Sequence, residues 1–121
     1  MAVVLIVYDE IGILRLLEDV LNDEGHKVVV AVNGRQALER AAEGRPDIII
    51  TDLMMPVMDG AALMEAIGLQ PALEGVPVVV MSSLSENMVR DRIKADYAAF
   101  VRKPFKIFDF IDLVAKLVER P

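Results

Sequence analysis

Asp47-Ile48-Ile49-Ile50-Thr51-Asp52-Leu53-Met54-Met55-Pro56-Val57-Met58-Asp59-Gly60 is the stretch from which the rest of the chain is read. Asp47 to Thr51 is a short run rich in branched apolar residues, without the alternation of a half-exposed strand. That is the pattern of a strand covered on both faces in a parallel sheet. Asp52 stands at its end. Asp59 can accept hydrogen bonds from first-turn amides, and Gly60 to Leu69 has helical period.

The same alternation repeats on either side. Val3 to Val7, Lys27 to Val32, Val76 to Met81 and Ala99 to Arg102 read as strands, each bounded by turn or polar residues. Glu10 to Glu24, Asn33 to Glu43, Ser85 to Lys94 and Phe108 to Glu119 read as helices. Gly25 and Gly44 follow helices where a C′ glycine belongs, and Asn33 and Ser85 or Glu86 can cap helix starts. Five βα units with right-handed crossovers predict a single α/β domain over residues 1–121: a five-stranded parallel doubly wound sheet with five helices. Ligands of such a fold bind beyond the carboxyl ends of the strands.

The composition narrows the function classes. With 121 residues the chain has room for one core and not two. A 55% apolar share contains no run of the roughly 18 residues a membrane span needs. The apolar start, Met1 to Val7, lacks a basic leader and a small-residue cleavage site, so it reads as a strand and not as a signal peptide. The absence of cysteine fits the cytoplasm. A formal charge of −6 argues against direct nucleic-acid binding, which needs a cationic face.

At the strand ends, four residues far apart in sequence should converge: Asp9 after strand one, Asp52 at strand three, Ser82 after strand four and Lys103 after strand five. Two neighbouring carboxylates favour a hard divalent cation such as Mg²⁺, which offsets their repulsion. A lysine adds a fixed positive charge and a serine a hydroxyl donor. Together they suit a phosphoryl group, with Asp52 as nucleophile.

Four stretches carry a resemblance that spans the chain: Val4-Leu5-Ile6-Val7-Tyr8-Asp9-Glu10, the Asp47 to Gly60 segment, Val78-Val79-Val80-Met81-Ser82-Ser83, and Phe100-Val101-Arg102-Lys103-Pro104-Phe105. The sequence resembles the receiver domains of two-component response regulators, the CheY-like branch of the flavodoxin-like fold. That resemblance implies Asp52 as phosphoacceptor, and Asp9, Asp52 and the Met54 backbone carbonyl as Mg²⁺ ligands. It implies Ser82 as the hydroxyl that moves onto the phosphoryl group, Phe100 as the aromatic that follows it, Lys103 as the cation, and a cis peptide before Pro104. The donor would be a phosphohistidine on a histidine kinase or histidine phosphotransfer protein. It would dock near Ile11, Leu14, Arg15, Pro104 and Phe105. Output would pass through the face of helix four, strand five and helix five to a downstream protein or a fused domain. Arg90, Lys94, Arg102 and Lys106 lie on that face among Ile107 and Phe108.

One position departs from the family. Tyr8 replaces the first of two acids, so Mg²⁺ should bind more weakly and Asp52 should feel less repulsion. Sliding the register to pair Asp9 with Glu10 would reverse the faces of strand one. Met54 and Leu84 flank the site and neither can orient water, so an aspartyl phosphate should be lost slowly. The chain should act on its own side chain, not as a turnover enzyme. The competing readings are a phosphorylation-independent interaction module and a receiver fragment of a larger hybrid kinase or transcription regulator. A phosphatase would want a catalytic acid at position 54, and a flavodoxin or P-loop protein a phosphate loop after strand one. The methionines, including Met54, Met55, Met58 and Met64, read as core filling, and His26 as a solvated turn residue.

Overall fold

The computed structural model describes residues 2–55, 57–93 and 95–118. In chain order these form β1 (Val3–Val7), α1 (Ile11–Asp23), β2 (Lys27–Ala31), α2 (Gly34–Glu43), β3 (Ile48–Asp52) and α3 (Gly60–Gly68). A single 3-10 turn, Pro71–Leu73, leads to β4 (Val78–Ser82), α4 (Glu86–Arg92), β5 (Ala99–Arg102) and α5 (Ile107–Val118). The strands are all parallel, in the order β2-β1-β3-β4-β5. The chain therefore reverses direction across the sheet between β1 and β3, which opens a crevice at their carboxyl ends.

Every residue of β3 and β4 is buried, because helices cover the sheet on both sides. Successive side chains point to opposite faces and feed two cores. Leu5, Val7, Ile49 and Val80 pack on one face with Ala37 and Leu63 of α2 and α3. Val4, Ile6, Tyr8, Ile48 and Ile50 pack on the other with Leu14, Leu17 and Leu21 of α1 and with Phe110 and Val114 of α5. Tyr8 follows the Val4–Ile6 face, so strand one keeps the unshifted register.

Several boundaries differ from expectation for identifiable reasons. Asp47 lies outside β3, where its carboxylate accepts a hydrogen bond from the Val3 amide at 2.7 Å. β3 and β4 run on to include Asp52 and Ser82 as their last residues, so both are buried within the sheet edge. α4 ends at Arg92 because Ile93 turns to extended backbone and enters the core. Lys94 and Glu119 lie outside the described residues. Asn33, Asp59 and Ser85 each cap a helix as expected, accepting from the amides of Gln36, Ala62 and Met88. Gly25 has the left-handed φ of +89° that a C′ glycine supplies. Gly44 does not: it is extended, and its amide caps α2 by donating to the Arg40 carbonyl.

The core reading of the methionines holds for Met64, and fails for Met54, which is 55% exposed. His26 is half-buried, with Nδ1 out of water and unpartnered among the described residues, and is not the solvated turn residue expected. Among the described residues no helix is long and apolar enough to cross a membrane.

Candidate functional site

Asp52 ends the central strand and is only 4% exposed. Three hydrogen bonds hold the backbone of Asp52 and Leu53. The Thr51 hydroxyl donates to the Asp52 carbonyl at 2.9 Å, the Leu53 amide donates to the Met81 carbonyl at 2.9 Å, and the Gly60 amide donates to the Leu53 carbonyl at 2.8 Å. A Cβ on Gly60 would stand 2.7 Å from the Asp52 carbonyl oxygen, closer than real contacts allow. Only glycine lets the start of α3 press against the strand end. Asp59-Gly60 thus caps α3 and also sets the position of the acidic residue.

Lys103 follows β5, and its amide donates to the Ser82 carbonyl at 2.8 Å. The Lys103–Pro104 peptide is cis. Lys103 Nζ donates to Asp52 Oδ1 at 3.0 Å and to Tyr8 Oη at 2.8 Å, and lies 4.9 Å from the centroid of the Tyr8 ring. Tyr8 is therefore a ligand of the lysine, whereas the sequence suggested only a lost carboxylate. The available signal was its place on the buried face of β1, where a phenol hydroxyl needs a polar partner.

The electrostatics follow from this packing. Burial pushes the Asp52 pKa above its ordinary value; the hydrogen bond and charge of Lys103 oppose this, and the nearby charge of Asp9 adds to it. For Lys103, burial alone would lower the pKa, but the hydrogen bonds to Tyr8 and Asp52 outweigh it and the net shift is upward.

Asp9 is exposed at the rim, close enough for its charge to be felt at Asp52. No described backbone N–H takes the Met54 carbonyl. Two carboxylates and one carbonyl are hard oxygen donors and suit Mg²⁺, which needs few protein ligands and keeps several waters. Among the described residues no group of three acidic, histidine or cysteine side chains is assembled. The Met54 side chain points outward, and Arg92 Nη1 reaches its Sδ at 3.4 Å.

Ser82 is buried next to this cluster, and its Oγ accepts from the Leu84 amide at 3.0 Å, closing its own loop. Ser83 is exposed. Phe100 pairs with Val80 in the sheet and is half-buried against the core on the α2–α3 side.

Ile11, Arg15 and Pro104 are exposed and Phe105 is half-buried against Phe110, with ring centroids 5.4 Å apart. Leu14 is not available for docking: at 3% exposure it belongs to the core. Helix periodicity places Leu16 outward instead, at 54%. Leu16 borders a mainly apolar groove of about 470 Å³ between α1 and the loop after β5, lined also by Ile13, Ser83, Pro104 and Phe105 and closed by Tyr8 and Lys103. On the far side, Arg90, Arg102, Lys106 and Phe108 are exposed. Glu86 Oε2 there accepts from the Tyr97 hydroxyl at 3.0 Å and from Arg90 at 3.2 Å, a cluster the sequence did not suggest.

The response regulator receiver domain family matches residues 4–115. Sporulation initiation phosphotransferase F of Bacillus subtilis is 33% identical over 114 residues, covering 93% of this chain and 90% of that protein. The chain also matches transcriptional regulatory proteins of mycobacteria and spans about half their length. The chemotaxis response regulator CheY4 of Vibrio cholerae superimposes with a TM-score of 0.89 at 30% identity, over 97% of this chain and 98% of that one. The signal receiver domain of a signal transduction histidine kinase from Syntrophus aciditrophicus superimposes with a TM-score of 0.90 at 32% identity, over 100% and 95%. With this site at the carboxyl edge of this sheet, the chain belongs to the receiver domain family of two-component response regulators.

Proposed function

We propose that Asp52 accepts a phosphoryl group from a phosphohistidine on a histidine kinase or histidine phosphotransfer protein, and that the modified domain signals through the face of α4, β5 and α5. The observation that supports this most is the Lys103 ammonium 3.0 Å from a carboxylate almost withdrawn from water. In the transfer, an Asp52 oxygen bonds to phosphorus as the P–N bond to the donor imidazole breaks, and the bonding pair leaves on the ring nitrogen. Lys103 stabilises the charge on the phosphoryl oxygens from a fixed position. Asp9, Asp52 and the Met54 carbonyl would hold Mg²⁺, which when bound supplies further positive charge to those oxygens. With Tyr8 in place of an acid, that affinity should be low for the family.

The groove between α1 and the loop after β5 suits the donor, being apolar and adjacent to Lys103. Inward movement of Ser82 and Phe100 would carry the signal to α4 and β5, where the downstream protein or fused domain reads it. The domain transfers phosphate only to itself and is not a turnover enzyme.

Intact mass after incubation with acetyl phosphate, with and without Mg²⁺ and with Asp52→Ala alongside, tests the reading. A phosphoryl adduct that needs Asp52 and is promoted by Mg²⁺ is expected. The Tyr8–Lys103–Asp52 contacts, complete without phosphate, favour one second reading, a phosphorylation-independent interaction module. The absence of any adduct on folded protein would point to it.

A further inference from the structure

We propose that the Tyr8 hydroxyl is itself a ligand of the phosphoryl group, donating its proton to a phosphoryl oxygen on Asp52; this rests on Asp52 being the acceptor. The direction of one hydrogen bond carries the argument. An ammonium has no lone pair, so in the 2.8 Å contact Lys103 donates and the Tyr8 oxygen accepts. The phenol proton must then point elsewhere. Tyr8 is 4% exposed, at the wall of the groove between α1 and the loop after β5, and no described protein group accepts that proton.

The geometry says where it can go. Tyr8 Oη and Asp52 Oδ1 are held by the same nitrogen, at 2.8 and 3.0 Å, so they are neighbours across the site. A phosphoryl group on Asp52 extends outward from the carboxylate and brings acceptor oxygens into the space beside Lys103. The phenol O–H is a neutral donor there, its oxygen already held beside Lys103. An acid at position 8 repels a phosphoryl group unless a cation lies between them; a phenol bonds to it directly. The substitution that weakens the cation site thus adds a donor in compensation. Tyr8 fixes Lys103 in the resting site and binds the phosphoryl oxygen in the modified one.

Beryllofluoride, an unreactive mimic of the phosphoryl group, tests this through its ¹⁹F NMR signal, titrated at fixed Mg²⁺ on wild type, Tyr8→Phe and Tyr8→Asp. Tyr8→Phe keeps the buried ring and removes the hydroxyl, both as a donor to the phosphoryl group and as the acceptor from Lys103. Its beryllofluoride affinity should fall by about ten-fold, the effect of one hydrogen bond to a charged group. Its Mg²⁺ affinity without beryllofluoride should not change. The chain has only two tyrosines, so ¹³Cζ labelling gives an independent readout: the Tyr8 resonance should shift when beryllofluoride binds. Equal beryllofluoride binding by wild type and Tyr8→Phe would overturn the proposal while leaving Asp52 as acceptor. Equal loss of Mg²⁺ affinity in Tyr8→Phe would also overturn it, making the hydroxyl a metal ligand. If wild type takes no beryllofluoride at saturating Mg²⁺, with or without binding by Tyr8→Asp, the proposal and the acceptor reading of the native site both fail.

Discussion

Asp52 carries a charge at a buried strand end, where the fold disfavours one. Burial raises its pKa above the ordinary 3.8, against the pull of Lys103. A raised carboxylate pKa means that the folded protein holds the proton more tightly than the unfolded chain. The stability gained this way is fully present below the unfolded pKa and is lost as pH rises through the folded one. At pH 7, then, ionised Asp52 costs stability. Asp52→Asn, in Mg²⁺-free buffer, should melt higher than wild type at pH 7, and the gap should narrow as the pH falls towards 4; thermal melts at several pH values would show it. A gap independent of pH would mean that the charge is not the cause. Asp52 and Lys103 were legible from sequence because each stands at a strand end beside a recognisable motif. The Tyr8 hydroxyl was not, because its partner lies 95 positions away and is chosen by packing. A residue that breaks a motif reads as a loss until its neighbours are known.

The loops after β3 and β4 decide how long a phosphoryl group would persist. Hydrolysis of an aspartyl phosphate needs a water held in line with the P–O bond. Met54 is exposed and engaged by Arg92, and Leu84 is half-buried; neither side chain can hold that water. Met54→Asn would supply a hydrogen-bonding group at the rim and should speed dephosphorylation on the order of ten-fold, as one good hydrogen bond in the transition state would. The decay of labelled protein after removal of acetyl phosphate measures it. The same β3–α3 connection stores strain. Val57 has φ +69°, a left-handed conformation that costs a β-branched residue about 1–2 kcal/mol. Its side chain is 77% exposed and returns little packing in exchange. Val57→Gly should therefore raise unfolding stability by about 0.5–1 kcal/mol after the added chain entropy of glycine, in a urea titration with an unchanged m-value. At this scale the strand centres were readable from their unbroken apolar runs, and β5 was placed from Ala99 to Arg102. The ends were not, since the sequence cannot show that Ile93 leaves its helix to fill the core or that Asp47 caps the Val3 amide.

Across the whole molecule, two cores fill the opposite faces of one sheet, and the polar residues Asp52, Ser82 and Lys103 gather at its carboxyl edge. That edge was predictable from the alternation of strands and helices alone. Which residues of α1 face outward beside it was less so. The helix has more apolar residues than one buried stripe requires, and Leu14 and Leu16 compete for the same role in sequence. The sheet resolves it: Leu14, Leu17 and Leu21 follow the inward spacing, and Leu16 is left at the mouth of the groove beside Pro104 and Phe105. Exposed apolar surface next to a reactive site marks a protein-binding patch more often than a small-molecule one, since acetyl phosphate needs no such contact. Leu16→Lys should accordingly separate the two routes to Asp52. Phosphorylation by acetyl phosphate should proceed as in wild type, because the change removes no hydrogen bond of Asp52 or Lys103. Transfer from a histidine kinase that labels wild type should slow on the order of ten-fold or more, as loss of a central apolar anchor does. Equal rates by both routes would move the donor away from α1. A loss by both routes would show that position 16 supports the site itself, through the packing of Tyr8 and Lys103 along the same groove.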